Sequence, residues 1–375
     1  MSFRDENIAA LIKFFATGCK PDKLLGLELE HFVVGRVTKK ALPYEGGVEE
    51  MLRAATGYGA PLYDNGRIIG LAHASAPVSL EPAAQLEVSI GPYRDLADIK
   101  RDYQVFRAYF DPLIADKNCE LVCAGYQPAS RVDALTMIPK SRYRYMDEYF
   151  RTTGKYGRNM MRGTAATQVC IDYADEADFA KKFRVANVFS PLFAFITDNT
   201  NSFEGQPFHG RMLRTQIWND VDPDRSMIVN KALDMPFGFH DYAQYLYDLP
   251  AVIAIDDADV RYVGRTPVSE IYANRKLTDA DIDLITSMAF PDVRVKQHIE
   301  IRVADSMPIE RALAYAALIY DIFYTETTLE ALYQQTLNVC NREVAEAKLA
   351  LIAHGADAMI YGRRASAWMD EFFIS

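Results

Sequence analysis

Glu81-Pro82-Ala83-Ala84-Gln85-Leu86-Glu87-Val88-Ser89 reads as a turn running into a strand, with Pro82 at the entry and alternation after it. Period-2 geometry puts Glu81, Gln85, Glu87 and Ser89 on one face and Leu86, Val88 and Ile90 on the other. The pattern recurs. In Leu25–Val34, Glu28 and Glu30 share a face opposite Leu25, Leu27, Leu29 and Val33. In Arg162–Tyr173, Arg162, Thr164, Gln168 and Asp172 oppose Val169 and Ile171. In Gln297–Val303, His298, Glu300 and Arg302 oppose Ile299, Ile301 and Val303. A single amphipathic strand is ordinarily an edge with one wet face. These polar faces carry Glu, Gln and Arg but no Lys, the usual cover of an exposed sheet. Carboxylates gathered this way repel one another unless a cation holds them. The four strands are therefore expected to floor a site.

The chain has 375 residues, half of them hydrophobic and a quarter charged, which is ordinary globular composition. A net charge of −10 and the lack of a basic, aromatic-interleaved run argue against a nucleic-acid partner. The segment Met1–Asn7 lacks the basic-then-apolar order of a signal peptide, and the apolar run Ala312–Tyr320 is too short to span a bilayer. No membrane association and a cytoplasmic location are expected. Cys119 and Cys123 have no second pair at zinc spacing, and no His/Cys cluster stands out, so the five cysteines read as free thiols. Phosphate-loop and dinucleotide fingerprints, a G-x-S-x-G elbow and a Cys–His nucleophile signature are missing.

Helical spacing predicts helices over Glu6–Thr17, Val48–Ala55, Leu96–Asp116, Arg142–Thr152, Glu176–Ile196, Pro308–Tyr324, Leu329–Ala353 and Ala365–Phe373. A hairpin should turn at Asp64-Asn65-Gly66. Arg211–Trp218 reads as a strand and Asp198–Gly210 as a surface loop. No repeat or composition break appears along the sequence. The expected fold class is α+β, one continuous catalytic domain over residues 1–375, with a largely antiparallel sheet whose apolar face is covered by helices.

Glu28, Glu30, Glu81, Glu87 and Glu300 with Gln168 form an oxygen-rich set suited to Mg2+ or Mn2+. Arginine beside such metals is the usual equipment of phosphoryl transfer, and Arg162, Arg214 and Arg302 are the candidates. A salt bridge to acidic neighbours is the structural alternative for each arginine taken singly. His31 falls on the apolar side of its strand and reads as a core histidine, while His73 and His298 are candidate site residues.

The segments Gly26–Phe32, Ser79–Glu87, Ile138–Met146, Met161–Val169, Lys182–Val185, Met212–Trp218, Asp222–Arg225 and His298–Asp305 resemble, in order, those of the plant and proteobacterial glutamate–cysteine ligases. The resemblance implies a glutamine synthetase-like fold, a curved antiparallel sheet forming a funnel around magnesium and ATP. It implies that the γ-carboxylate of glutamate attacks the γ-phosphate of ATP, and that the α-amine of cysteine then displaces phosphate from γ-glutamyl phosphate, giving γ-glutamylcysteine. By position, Glu28, Glu30, Glu81, Glu87, Gln168 and Glu300 resemble the family's metal shell, and Arg302 its phosphoryl-transfer arginine. Arg214 resembles a contact to substrate carboxylate, with Arg162, Trp218 and Arg225 as further substrate-binding candidates in the matching segments. A related ligase joining glutamate to another amine, and a member that binds nucleotide or amino acid without turnover, are the competing expectations. The family's Glu-Pro-Gly-Gly-Gln carries Ala83 and Ala84 here, whose methyls are expected to crowd a ligand, and Cys170 stands where Asn is usual.

Overall fold

The computed structural model describes residues 3–372 except 235, 257 and 258. Its central element is β1 (Leu25–Gly35), the longest strand. Around it lie β2 (Ala60–Asp64), β3 (Arg67–Ala72), β4 (Val78–Leu80), β5 (Leu86–Tyr93), β6 (Cys119–Val122), β7 (Ala166–Ile171), β8 (Val293–Val295) and β9 (Ile299–Asp305). The order is β8-β9-β7-β1-β5-β4-β3-β2, with β6 pairing the far half of β1. Every pairing within this sheet is antiparallel, and β8 and β2 do not meet, so it is not closed into a barrel. The expected α+β class with a largely antiparallel sheet is what the chain adopts.

The alternation read from sequence sets which face is buried. Leu25, Leu27 and Leu29 of β1, Val88 and Ile90 of β5, Val169 and Ile171 of β7, and Ile299 and Ile301 of β9 are all at most 2% exposed. Helix α3 (Leu96–Asp116), helix α6 (Glu176–Ile196) and the helix Ile309–Tyr324 pack against the sheet. The first of these begins where Asp95 accepts the Ala97 amide, and the second where Asp175 accepts the Asp178 amide. The Asn65-Gly66 turn joins β2 to β3 with both residues at positive φ, as a two-residue hairpin requires. His31 is a core residue, bonded to the Leu86 carbonyl and the Tyr103 hydroxyl.

Four expected elements differ. Arg162–Tyr173 is not one strand: Gly157–Gly163 is helix α5, and β7 begins at Ala166. Arg211–Trp218 is not a strand either; Leu213–Trp218 is a short helix, α7. Leu213 and Ile217 fit an i, i+4 stripe as well as they fit alternation, and six residues cannot separate the two periods. Leu329–Ala353 is broken into Glu326–Thr336 and Asn341–His354. The break is held by Arg184 of α6, whose guanidinium takes the Thr336, Leu337 and Val339 carbonyls at the end of the first helix. The last predicted helix runs Ala365–Phe372, and Phe373 lies outside the described residues.

The fourth difference falls in the opening stretch. Glu81–Gln85 is a tight loop, and the strand begins at Leu86. The Ala84 amide donates to the Glu81 carbonyl and the Glu81 amide to the Gln85 carbonyl, with Ala84 at φ 65°. Gln85 turns inward, accepting the Ala83 amide and donating to the Met161 and Thr164 carbonyls. Ala84 is packed into the core, and neither alanine lines the site cavity, so their methyls do not face into it. The cost lies in the backbone, because a left-handed conformation suits glycine. Ala84→Gly should therefore be neutral or stabilising, by up to about 1 kcal/mol after the entropy of glycine in the unfolded chain is subtracted. Chemical denaturation checks this, and a loss of stability would contradict it.

Candidate active site

The sheet face opposite the helices brings the polar residues of β1, β5, β7 and β9 together. Register does this directly: Glu30 is opposite Glu87, and Glu28 is opposite Ser89 on one side and Gln168 on the other. Glu87 accepts from the Ser79 and Ser89 hydroxyls at 2.8 and 3.3 Å. Glu30 accepts from the Ala166 amide at 2.8 Å and from the Gln168 side-chain amide at 3.0 Å. A register shift between Ile301 and Ala304 of β9 lies beside Gln168, and the Arg302 guanidinium donates to the Gln168 side-chain carbonyl.

These residues line a cavity of about 260 Å³. Its carboxylates are Glu28, Glu30, Glu81 and Glu87; facing them are Lys140, Arg142, Arg214, Arg294, Lys296 and Arg302. Burial pushes Glu28 up to about 7, helped by repulsion from Glu87 and Glu300. Burial, with Glu81 and Glu87 nearby, holds Glu30 well above the usual carboxylate range, and burial with Glu81 raises Glu87. Burial likewise makes the charged forms of Arg214 and Arg302 harder to keep. Lys140 is lowered to about 8 by burial and by Arg142.

Glu300 is wholly buried and borders the cavity rather than lining it. One oxygen faces Arg294 and, at 3.4 Å, Arg302; the other faces Lys296 at 2.9 Å and His298 at 3.2 Å. Burial alone would raise its pKa, but Arg294, His298 and Lys296 outweigh this and hold it well below the ordinary value. Several buried donors have no partner among the described residues: Nε of Arg142, Nε of Arg214 and Nε1 of Trp218. All three side chains line the cavity, and the Arg214 guanidinium sits 5.2 Å from the Trp218 ring centre. Such orphaned donors beside a cavity suit an anionic ligand.

Two expected substrate residues are placed elsewhere. Arg225 is fully buried and bonds Asp222, the Tyr149 hydroxyl and the Met288 and Pro250 carbonyls, leaving no fork for a ligand. Arg162 donates to the Leu135 carbonyl at 3.0 Å and to Asp147 at 2.5 Å, away from the cavity. Both arginines bind the chain to itself. Conversely, Lys140, Arg142, Arg294 and Lys296 carry no role in the sequence reading. Arg294 and Lys296 continue, backwards through the hairpin, the alternation of His298, Glu300 and Arg302, which is the signal that could have found them. Lys140 and Arg142 stand at the start of helix α4 (Ser141–Phe150), where no strand alternation applies.

The open antiparallel sheet with helices on one face is a fold shared with a solved glutamate–cysteine ligase from Francisella tularensis in complex with AMP. The superposition has a TM-score of 0.52 at 11% identity and covers 91% of this chain and 74% of that one. A family model described as glutamate-cysteine ligase family 2 matches residues 24–370, and the chain belongs to that family. It is 28% identical over 338 residues to the chloroplastic glutamate–cysteine ligase of Brassica juncea, covering 87% of this chain and 65% of that protein. The Arabidopsis thaliana enzyme is 29% identical over 341 residues, 87% of this chain and 64% of its own length. The chain thus spans slightly less than two thirds of these relatives. Among the described residues, no helix is long and apolar enough to cross a membrane.

Two expectations follow from this geometry. Arg225→Ala should destabilise the fold by about 3–5 kcal/mol, because Asp222 is left buried and unpaired; an unchanged denaturation midpoint would contradict it. Because Glu28 binds its proton more tightly folded than unfolded, its contribution to stability falls as pH rises from about 4.5 toward 7. A divalent cation should offset that fall, so Mg2+ should raise the melting temperature more at pH 8 than at pH 5. Equal Mg2+ shifts at the two pH values would remove Glu28 from the cation site.

Proposed function

We propose that the chain catalyses the ATP-dependent joining of the glutamate γ-carboxylate to the α-amine of cysteine, giving γ-glutamylcysteine, ADP and phosphate. The observation that carries this is the facing of two charge sets across one cavity: Glu28, Glu30, Glu81 and Glu87 against Arg142, Arg214, Arg294 and Arg302. Glu28, Glu30 and Glu87, with raised pKa values and held together by register, are a poor use of a sheet face unless a hard cation joins them. The donors fit Mg2+ or Mn2+, held by Glu28, Glu30, Glu81, Glu87 and Gln168 with Glu300 beside them, and such ions neutralise phosphate charge.

The chain's own residues do the rest. Arg214, with an unpartnered Nε stacked near Trp218, is suited to grip a substrate carboxylate. Lys140 and Arg142 are suited to the polyphosphate. Arg302, steered by Gln168 and Glu300, is suited to offset the charge on the transferred phosphoryl group. A γ-carboxylate oxygen attacks the γ-phosphorus and the bridging oxygen leaves with ADP. The amine nitrogen then attacks the acyl carbon, phosphate departs, and the nitrogen loses a proton. Residues 1–375 act in this reading as one catalytic unit. A cytoplasmic location belongs to the same reading and fits five cysteines that are all free.

ADP release with ATP, Mg2+ and glutamate, followed by a panel of amines, tests the proposal. Cysteine should give the largest stimulation. A larger response to another amine would replace the acceptor, and ATP binding without any ADP release would leave a binding protein. Arg302→Ala should lower turnover at least about 10³-fold with an unchanged melting temperature. Undiminished ADP release would remove Arg302 from the mechanism.

A further inference from the structure

The Cys170 thiol and the His298 imidazole have no part in the reaction proposed above, yet both stand beside Glu300. Cys170 and Glu300 are direct cross-strand partners of β7 and β9, and His298 precedes Glu300 by two residues on the same face. Donor atoms of Cys170, His298 and Glu300 all lie within 4.8 Å of one another. A second cavity, of about 280 Å³, opens onto Cys170 and His298 and also reaches Glu28. Gly26 is the β1 partner of Cys170, and a Cβ there would stand 3.4 Å from that of Cys170.

The donor chemistry differs from that of the main cavity. Oxygen alone suits magnesium, whereas sulfur, imidazole and carboxylate together suit a borderline cation such as zinc. Two light ligands, each about 2.0–2.1 Å from a tetrahedral zinc, are roughly 3.3 Å apart. His298 Nε2 and Glu300 Oε1 are 3.2 Å apart. A plain His–Glu hydrogen bond has this length too, but it does not account for the thiol and open cavity beside it. Cations already hold this carboxylate: Lys296, with a side chain 30% exposed, stands 2.9 Å from the same oxygen, while Arg294 and, at 3.4 Å, Arg302 take the other oxygen, so Lys296 is the one a metal would displace.

The geometry points to a metal site at Cys170, His298 and Glu300 that takes one divalent cation of the zinc class, with water as fourth ligand. On binding, the thiol releases its proton to solvent as the sulfur–metal bond forms, and Lys296 leaves the Glu300 oxygen.

Cobalt titration of the purified full chain, in excess Mg2+, tests it. One equivalent should give an intense near-ultraviolet sulfur-to-cobalt band with the strong visible bands of four-coordinate cobalt, and one equivalent of Zn2+ should abolish both. Cys170→Ser should remove the sulfur band. His298→Gln, a change at a half-buried position, should weaken Zn2+ binding at least about tenfold, and it decides the matter if the serine variant does not fold. Cobalt binding without a sulfur band, or a band that survives His298→Gln, would overturn the site.

Discussion

Like charge held at close quarters by backbone register is the constraint on which the site depends. Glu30 and Glu87 are paired across β1 and β5, and Glu28 is one step along the same face. Side chains opposite one another in a ladder stand only about 5 Å apart. Neither glutamate can move away without changing faces, because a one-residue slip would bury the carboxylates and expose Leu27, Leu29 and Val88. The apolar face therefore enforces the polar one. Its burial beneath α3 and α6 outweighs the repulsion above, and that repulsion is what makes the cavity receptive to a cation.

The cations opposite are held differently. Arg302 is aimed by Gln168 and Glu300, and Arg294 by Glu300, so two of the arginines are positioned through one buried carboxylate. Arg142 and Arg214 are carried on short helices and keep donors without partners. The cavity thus joins two arginines held by sheet register, Arg294 and Arg302, with two carried on short helices, Arg142 and Arg214.

Much of this was legible in the sequence, because alternation in a half-buried strand is a geometric rule. Glu28, Glu30, Glu87, Gln168 and Arg302 reach one cavity for that reason. Glu81 reaches it too, but through a loop closed by Ala84 at positive φ rather than through the alternation that predicted its face. Arg214 and Trp218 arrive on a helix that reads equally well as a strand. Arg225 and Arg162 are not legible as structural residues, because an arginine's role depends on which carbonyls, carboxylates and hydroxyls the fold brings to its fork, and those partners lie up to 76 residues away. Cys170, His298 and Glu300 form a cluster that spacing along the chain could not suggest, since it joins two strands across a ladder.

The doubly paired stretch of β1 has a consequence for durability. From Leu27 to Leu29 the strand is bonded to β5 on one side and to β7 on the other. An edge such as the β2–β3 hairpin can fray alone, but freeing this stretch breaks two ladders at once and opens the core beneath them. The glutamate it carries, Glu28, is thus tied to the last part of the molecule to open. The charge cluster should outlive partial unfolding elsewhere and vanish only with the fold as a whole.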